Sequence, residues 1–510
     1  MINTEPSNHN KMTLIETIHQ HAAAMPNHVA IQNGNMTISY HEFLAGIAQS
    51  QLALNEHTND YTIALAMDNH PAWVTLDIAA SATSRPLVPL PTFFSDTQIM
   101  HAVKDAGAGV LLTDNPQRFN KLFNRQIKKK TTIMVMGKRL VLMHLNIAPQ
   151  ALPATTAKIT YTSGTTGQPK GVCLSDQAML NVATSIQQTV NLTSEDQHLC
   201  VLPLSTLLEN VAGLYAIFLA GGTAHILPSE AVGLSGSSLN ITQLHQALES
   251  SQANTAIFIP ELLSALVMLS ESGVMHLPSL RFLAVGGASI APHLLERARE
   301  VGLPVFEGYG LSESASVVAL NSATENRVGS VGKVLPHLDL KFSDEHEILV
   351  KGASYLGYTN STNQLESWLD TGDIGYMDED GYLFINGRKK NIFITSYGRN
   401  VSPEWVERDL TSTPEILQAC LFGEAKPWNT ALLFTKPEMT EGMIDAAIDR
   451  INQQLPDYAR VSKWLRIIEP FNVENNQLTP NGRLKRNEIW QAYEVSIEAI
   501  YENTIKQLAI

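Results

Sequence analysis

The stretch Tyr161-Thr-Ser-Gly-Thr-Thr-Gly-Gln-Pro-Lys-Gly-Val172 gathers three glycines, four aliphatic hydroxyls and one lysine directly after the short run Lys158-Ile-Thr-Tyr161. Glycines let backbone N–H groups turn toward an anion with no Cβ in the way. Hydroxyls add neutral donors, and Lys170 adds a point charge suited to phosphate. Thr162, Ser163, Gly164, Thr165, Thr166, Gly167 and Lys170 therefore read as a phosphate cradle. It is not the common P-loop, because G-x-x-x-x-G-K-[ST] needs a hydroxyl residue after the lysine and Gly171 follows Lys170.

Three further polar clusters have chemistry to offer if the fold brings them together. Gly286-Gly287-Ala288 follows an apolar run, and such a turn exposes backbone donors and acceptors at a sheet's carboxyl end. Glu307-Gly308-Tyr309-Gly310-Leu311-Ser312-Glu313 sets an aromatic face between glycines and adds a carboxylate, Glu313, able to hold a hard cation. Thr371-Gly372-Asp373 puts a carboxylate on a tight turn, a usual partner for a ribose diol. Each alone is a common structural turn. In this order, downstream of the phosphate loop, they point to a nucleotide site.

The elements that must hold these groups alternate between strand and helix. Thr62–Met67, Pro86–Leu90, Gly109–Thr113, Leu199–Pro203, Ala256–Pro260 and Phe282–Gly286 are short apolar runs. Segments with helical spacing lie between them, among them Pro71–Ala82, Glu261–Ser270 and Pro292–Val301. That alternation predicts an α/β fold with a parallel sheet covered on both faces. Beyond about residue 330 the texture turns to short hairpin-like strands, Glu347–Val350 and Ile374–Ile385, with Asp380-Gly381 as turn chemistry. A second boundary falls at Gly387-Arg-Lys-Lys-Asn391, where charge clusters before a new strand and helix.

Composition bounds the rest. A chain of 510 residues at 44% hydrophobic has room for several cores, and the length prior gives roughly three or four domain-sized units. The start of the chain lacks a basic segment followed by an apolar one, so no secretory signal is expected. Val211–Ala220 is too short to span a bilayer and reads as a buried helix. Cys173, Cys200 and Cys420 are odd in number and lack metal-ligand spacing, which fits free thiols in a reducing cytoplasm. A net charge of −14 argues against nucleic acid as a partner, so an anionic substrate must meet a local positive site. Lys128-Lys-Lys130 is expected to be a solvated loop, with peripheral contact to anionic lipid as the minor alternative.

The motifs together resemble the AMP-forming adenylating superfamily: acyl-CoA synthetases, luciferases and the adenylation domains of peptide synthetases. The likeness runs from Met36-Thr-Ile-Ser-Tyr-His-Glu-Phe43 and Arg85-Pro-Leu-Val-Pro-Leu90 to Leu478-Thr-Pro-Asn-Gly-Arg-Leu-Lys-Arg486. Leu202–Glu209, Glu307–Glu313 and Gly387–Glu407 look most like long-chain fatty acyl-CoA synthetases. The resemblance implies a large N-terminal domain of stacked α/β sheets with a small β-barrel-like subdomain (1–386). It further implies a hinge (387–391) and a small mobile α+β C-terminal domain (392–510).

The implied chemistry has two steps. A carboxylate attacks the α-phosphate of ATP and pyrophosphate leaves; a thiol, usually that of CoA, then displaces AMP. In such an enzyme the Thr162–Lys170 loop holds the β- and γ-phosphates, Mg2+ sits on Glu313, and Ser312 lies near the α-phosphate. Tyr309 lies against adenine with Gly286–Ala288 along its edge, within the Glu307–Gly310 turn. Asp373 accepts from the ribose hydroxyls with help from Arg388. Lys390 matches the hinge residue about which the small domain swings, and Gly398 would then enter near the pantetheine channel.

Two departures stand out. The family's lysine that reaches the acyl carboxylate and α-phosphate is replaced by Arg483, with Lys485 two residues on as a substitute. A planar guanidinium does not occupy a lysine's point-charge site unchanged. Where fatty acyl relatives carry a histidine, this chain has Thr206, and the aspartate that peptide-synthetase domains use for an α-amino group is missing. Leu207, Leu208, Val211 and Leu214 make an apolar surface suited to an acyl chain or to core packing; His198, His225 and His245 are expected on the surface or as satisfied core residues. The resulting expectation is an ATP-dependent ligase joining a medium- or long-chain fatty acid to CoA. Alternatives are delivery to an acyl carrier protein, arrest at acyl-AMP, or a catalytically impaired binding homologue.

Overall fold

The computed structural model describes residues 12–58, 61–162, 169–235, 238–273, 277, 279–288, 290, 292–352, 354–359, 368–479 and 482–508. The Thr62–Ala66 run is buried at every position, as a strand covered on both faces must be. It pairs in parallel with Leu87–Pro89 and Ala108–Thr113. Around them runs an eight-stranded sheet that ends on one side with Lys158–Thr162, Lys170–Leu174 and Gly357–Tyr358. At its other edge lies Ile127–Val135, so Lys128-Lys-Lys130 sits on an exposed edge strand rather than in the expected loop. Lysines on a free edge discourage pairing with another chain.

A second sheet of nine strands carries the parallel series Gln197–Cys200, Thr255–Phe258, Phe282–Val285 and Val305–Tyr309. A four-stranded antiparallel sheet, 339–388, is the small β-rich subdomain. It includes the Leu369–Met377 and Leu383–Arg388 hairpin, which turns at Gly381. The last part of the chain forms a three-stranded sheet, Ile416–Phe422, Asn429–Thr435 and Val461–Arg466, with helices Pro403–Thr411, Glu441–Asn452 and Arg486–Leu508. Its two apolar clusters draw only on residues 393 and beyond. The molecule is thus a large N-terminal α/β domain with a separate small C-terminal domain.

Helix Pro71–Ala82 starts with proline at its first turn, and the His70 side chain accepts from the Ala72 N–H. It is buried almost end to end, yet carries Asp77, which is 1% exposed. The Lys158 ammonium lies 2.8 and 3.0 Å from the two Asp77 oxygens. Tyr215 donates to Asp77 at 2.8 Å, and Asn210 donates at 3.0 Å while also accepting from Lys158. Asn210 and Tyr215 belong to a π-helix, Leu208–Tyr215, which continues as the α-helix Ala216–Ala220. The buried helix expected at Val211–Ala220 therefore begins earlier and with wider winding, a form often found at functional sites.

Removing one member of a buried ion pair strands the other, at a cost of about 3–5 kcal/mol. Asp77→Asn and Lys158→Met should each lower the urea midpoint of the N-terminal domain accordingly, followed by tryptophan fluorescence. A loss below about 1 kcal/mol would show that the network carries little stability.

Candidate functional site

The parallel strands Thr255–Phe258, Phe282–Val285 and Val305–Tyr309 end at one cavity of about 1680 Å³. Carboxyl ends of parallel strands are where open α/β sheets bind ligands. The phosphate-loop strand arrives from the other sheet: Lys158–Thr162 pairs antiparallel with Lys170–Leu174, with Thr162 opposite Lys170. Ser163, Gly164, Thr165, Thr166 and Gly167 lie outside the described residues, and Thr162 is described only by its backbone pairing. Lys170 lines the cavity.

Gly286, Gly287 and Ala288 form part of the cavity wall. A side chain at Gly286 would meet the Gly308 carbonyl oxygen at 3.0 Å, so the two turns approach backbone to backbone. At Gly310 a Cβ would sit 1.6 Å from the Ser316 carbonyl oxygen, which leaves glycine as the one residue that fits. Between these turns Tyr309 projects toward Asp373 and donates to Oδ2 at 2.5 Å. Arg388, cross-strand from Asp373, reaches Oδ1 at 2.6 Å. Burial pushes the Asp373 carboxyl up, and Arg388 opposes that shift.

Ser312 opens the single turn Ser312–Ser314, and Glu313 follows, both on the cavity wall. Glu313 Oε1 accepts from the Tyr358 hydroxyl at 3.0 Å. Tyr358 also lies under Lys170, whose Nζ is 5.2 Å from the ring centroid. Burial, then the neighbouring Glu313, pushes the Tyr358 phenol well up, so it remains a donor. Glu307 is buried, and its Oε2 has no hydrogen-bond partner among the described residues. Burial pushes its carboxyl up to about 8, with Arg408 of the small domain pulling the other way. Burial thus favours its protonated form.

From the small domain, Arg483 reaches this wall. Arg483 Nη2 donates to the Gly287 carbonyl at 3.2 Å. Arg483 is open to the crevice rather than sealed in it, so its guanidinium stays charged, although desolvation by the crevice walls and then Arg388 lower its pKa. Asp373, Glu313 and Tyr309 act in the opposite direction. Lys485 instead turns its ammonium onto Asn476 Oδ1, a neighbour in its own loop. Lys390 stands in the turn Lys389–Asn391 at the junction of the domains, where burial and then Arg388 lower its pKa. Gly398 occupies an exposed turn between Phe393–Ile394 and Asn400–Val401.

A second arm of the cavity runs along one face of the sheet. Register puts Gly286 and Gly308 at its mouth, Ile257 and Ala284 halfway, and His198, Thr255 and Phe282 at its floor. The π-helix closes the other side through Leu208, Ala212 and Gly213. Of the four apolar residues expected to face an acyl chain or the core, Val211 and Leu214 are buried in the core, while Leu207 and Leu208 line the cavity. At the floor His198 bonds Glu209 at 2.8 Å and Thr255 at 3.0 Å, and Glu209 also accepts from the Leu202 N–H at 2.9 Å. A Cβ on Gly213 would lie 2.4 Å from Glu209 Oε1. His225 is likewise engaged, by Gln197, and burial holds its pKa down to about 4.

Tyr358 escapes sequence reasoning, since an isolated aromatic carries no local signal. His198 is a satisfied core residue, one of the two places expected for it, but its pairing with Glu209 eleven positions on is not legible from spacing.

Known proteins match this architecture. Residues 18–357 fit the model of the AMP-binding enzyme family, and residues 390–505 that of the AMP-binding enzyme C-terminal domain. The long-chain-fatty-acid–CoA ligase FadD15 of Mycobacterium bovis is 27% identical, over 84% of this chain and 86% of its own. The 2-succinylbenzoate–CoA ligase of Bacillus subtilis is 28% identical, over 85% and 90%. An o-succinylbenzoate CoA synthetase from Bacillus subtilis, solved with its acyl-adenylate intermediate, superposes with a TM-score of 0.74 at 24% identity over 93% of this chain and 97% of that one. The same synthetase with ATP and a magnesium ion gives 0.73 at 24% over 92% and 98%. With two thirds of its length in the first family model and its small domain in the second, the chain belongs to the AMP-binding enzymes, within the AMP-forming adenylating superfamily.

Proposed function

We propose that the chain activates a carboxylic acid with ATP and passes the acyl group to CoA, the acid being a medium- or long-chain fatty acid. In the first step a carboxylate oxygen attacks the α-phosphorus, the bond to the bridging oxygen breaks, and acyl-AMP and pyrophosphate form. In the second the CoA thiol, losing its proton, attacks the acyl carbon and AMP departs.

The barrier of the first step is the meeting of two anions, lowered by positioned cations and donors. The Thr162–Lys170 loop would hold the β- and γ-phosphates, with Ser312 near the α-phosphate. Tyr309 would lie against adenine between Gly286–Ala288 and the Gly308–Gly310 turn, and Asp373 with Arg388 would receive the ribose hydroxyls. Glu313 offers the cavity a hard oxygen, the donor type magnesium takes, and the bound ion would neutralise phosphate charge. Residues 387–391 are the proposed hinge about Lys390, which would let the small domain exchange Arg483 for the Gly398 turn at the site.

The observation that carries this reading is the reach of Arg483 from the small domain to the Gly287 carbonyl, beside Tyr309 and Asp373. It favours Arg483 over Lys485 as the adenylating cation. The fatty acid is supported by the arm along the sheet, whose walls Ile257, Ala284, Leu208 and Ala212 are apolar. The floor pair His198–Glu209 is satisfied internally, so it ends the arm without asking for a polar group on the acid. CoA ligases among the relatives favour CoA over a carrier protein as acceptor.

Pyrophosphate release over a panel of fatty acids, with and without CoA, tests the assignment. Release that turns over only with CoA supports it; binding without release would mark an impaired homologue. Arg483→Ala should slow acid-dependent pyrophosphate release by about a hundred- to a thousandfold, and Arg483→Lys should match or exceed the natural chain. An unchanged rate in the alanine variant would remove Arg483 from the reaction. Ala284→Leu, halfway down the arm, should cut kcat/KM for dodecanoate and longer acids about ten- to a hundredfold while sparing butanoate. Equal losses for all acids would place the acyl chain elsewhere.

A further inference from the structure

Tyr358 lies in none of the motifs that mark the site, yet it touches two of its charged groups. Its hydroxyl donates to Glu313 Oε1 at 3.0 Å, and its ring sits beneath the Lys170 ammonium at 5.2 Å. The side chain is held firmly. The strand Gly357–Tyr358 pairs with the strand leaving the phosphate loop, Tyr358 opposite Val172, and the next N–H, of Thr359, donates to the Gly171 carbonyl at 2.9 Å. Tyr355 packs edge-on against the Tyr358 ring at 5.0 Å, and its own N–H donates to the Glu313 carbonyl at 2.7 Å. One short strand therefore registers the lysine end of the loop against the Glu313 backbone and side chain together.

Opposite charges that share one aromatic neighbour could otherwise gain from pairing directly, which would consume both. A neutral aromatic between them offers each a weaker partner: a ring face for the ammonium and a hydroxyl donor for the carboxylate. Neither contact uses up the capacity of the charged group for a ligand. We propose that Tyr358 is a positioning residue that seats Lys170 for the phosphates through its ring and orients Glu313 toward the cation through its hydroxyl. This rests on the adenylating reading, in which Lys170 meets pyrophosphate and Glu313 meets magnesium.

The two halves of Tyr358 separate by substitution in the full chain. Tyr358→Phe keeps the ring and loses the hydroxyl; Tyr358→Leu loses both. Mn2+ titrated into protein with saturating ATP, its free signal read by electron paramagnetic resonance, reports the carboxylate's part. Calorimetry with ATP in EDTA reports the lysine's part. Tyr358→Phe should weaken Mn2+ about tenfold and leave metal-free ATP affinity within twofold. Tyr358→Leu should weaken Mn2+ similarly and also weaken metal-free ATP about two- to fivefold. In a Glu313→Gln background, Tyr358→Phe should have no further effect on Mn2+. Unchanged Mn2+ affinity in Tyr358→Phe, with a loss on Glu313→Gln, would overturn the role of Tyr358 alone. No loss on Glu313→Gln, or no ATP binding by the natural chain, would overturn the adenylating reading with it.

Discussion

The Lys158 ammonium, held by Asp77, Asn210 and Tyr215 in the core, is the constraint on which the site's geometry depends. Lys158 begins the strand that feeds the phosphate loop. Asn210 and Tyr215 lie on the π-helix that walls the second arm of the cavity, and Asp77 on the buried helix Pro71–Ala82. A charge taken out of water costs several kcal/mol unless it is paired and hydrogen-bonded, and here every member of the cluster has partners. The cluster cannot slip without stranding a buried charge, so the strand ending at Thr162 and the π-helix stay in fixed relation. Two parts of the cavity wall, one on a strand and one on a helix, thereby behave as one frame.

Against that frame the small domain brings a core of its own and the guanidinium of Arg483. Its contact with the nucleotide wall through Arg483 is one hydrogen bond to a backbone carbonyl, the kind of contact a domain can release and remake. A lysine would present a compact charge there. The guanidinium spends one arm on Gly287 and keeps further donors for a phosphate or carboxylate oxygen. An arginine here keeps a positive charge at the cavity wall while changing its shape from a point to a planar fork.

Positions dictated by the backbone were legible in the sequence, and those dictated by distant side chains were not. Gly286, Gly310 and the turn at Gly381 are forced by close approach or by chain reversal, and local spacing reveals them. Tyr309 and Asp373 fall in strings distinctive enough to name a family. The alternation of strand and helix gave the α/β class because parallel strands buried on both faces must be apolar throughout. Lys128-Lys-Lys130 misled because charge alone does not distinguish a loop from an exposed edge strand. Val211 and Leu214 stayed undecided because an apolar helix face looks alike whether it meets a substrate or the core. Lys158 and Tyr358 gave no signal, since their partners lie far along the chain.

The central claim is that one cavity grips an acid and an adenylate as a single joined molecule. Its most direct measurement is a calorimetric titration with a non-hydrolysable dodecanoyl-adenylate analogue, alongside AMP and dodecanoate separately. The account predicts binding of the joined molecule at least about a hundredfold tighter than either half, since a mimic of the bound intermediate collects both sets of contacts. Affinity for the analogue no better than that for AMP alone would contradict it.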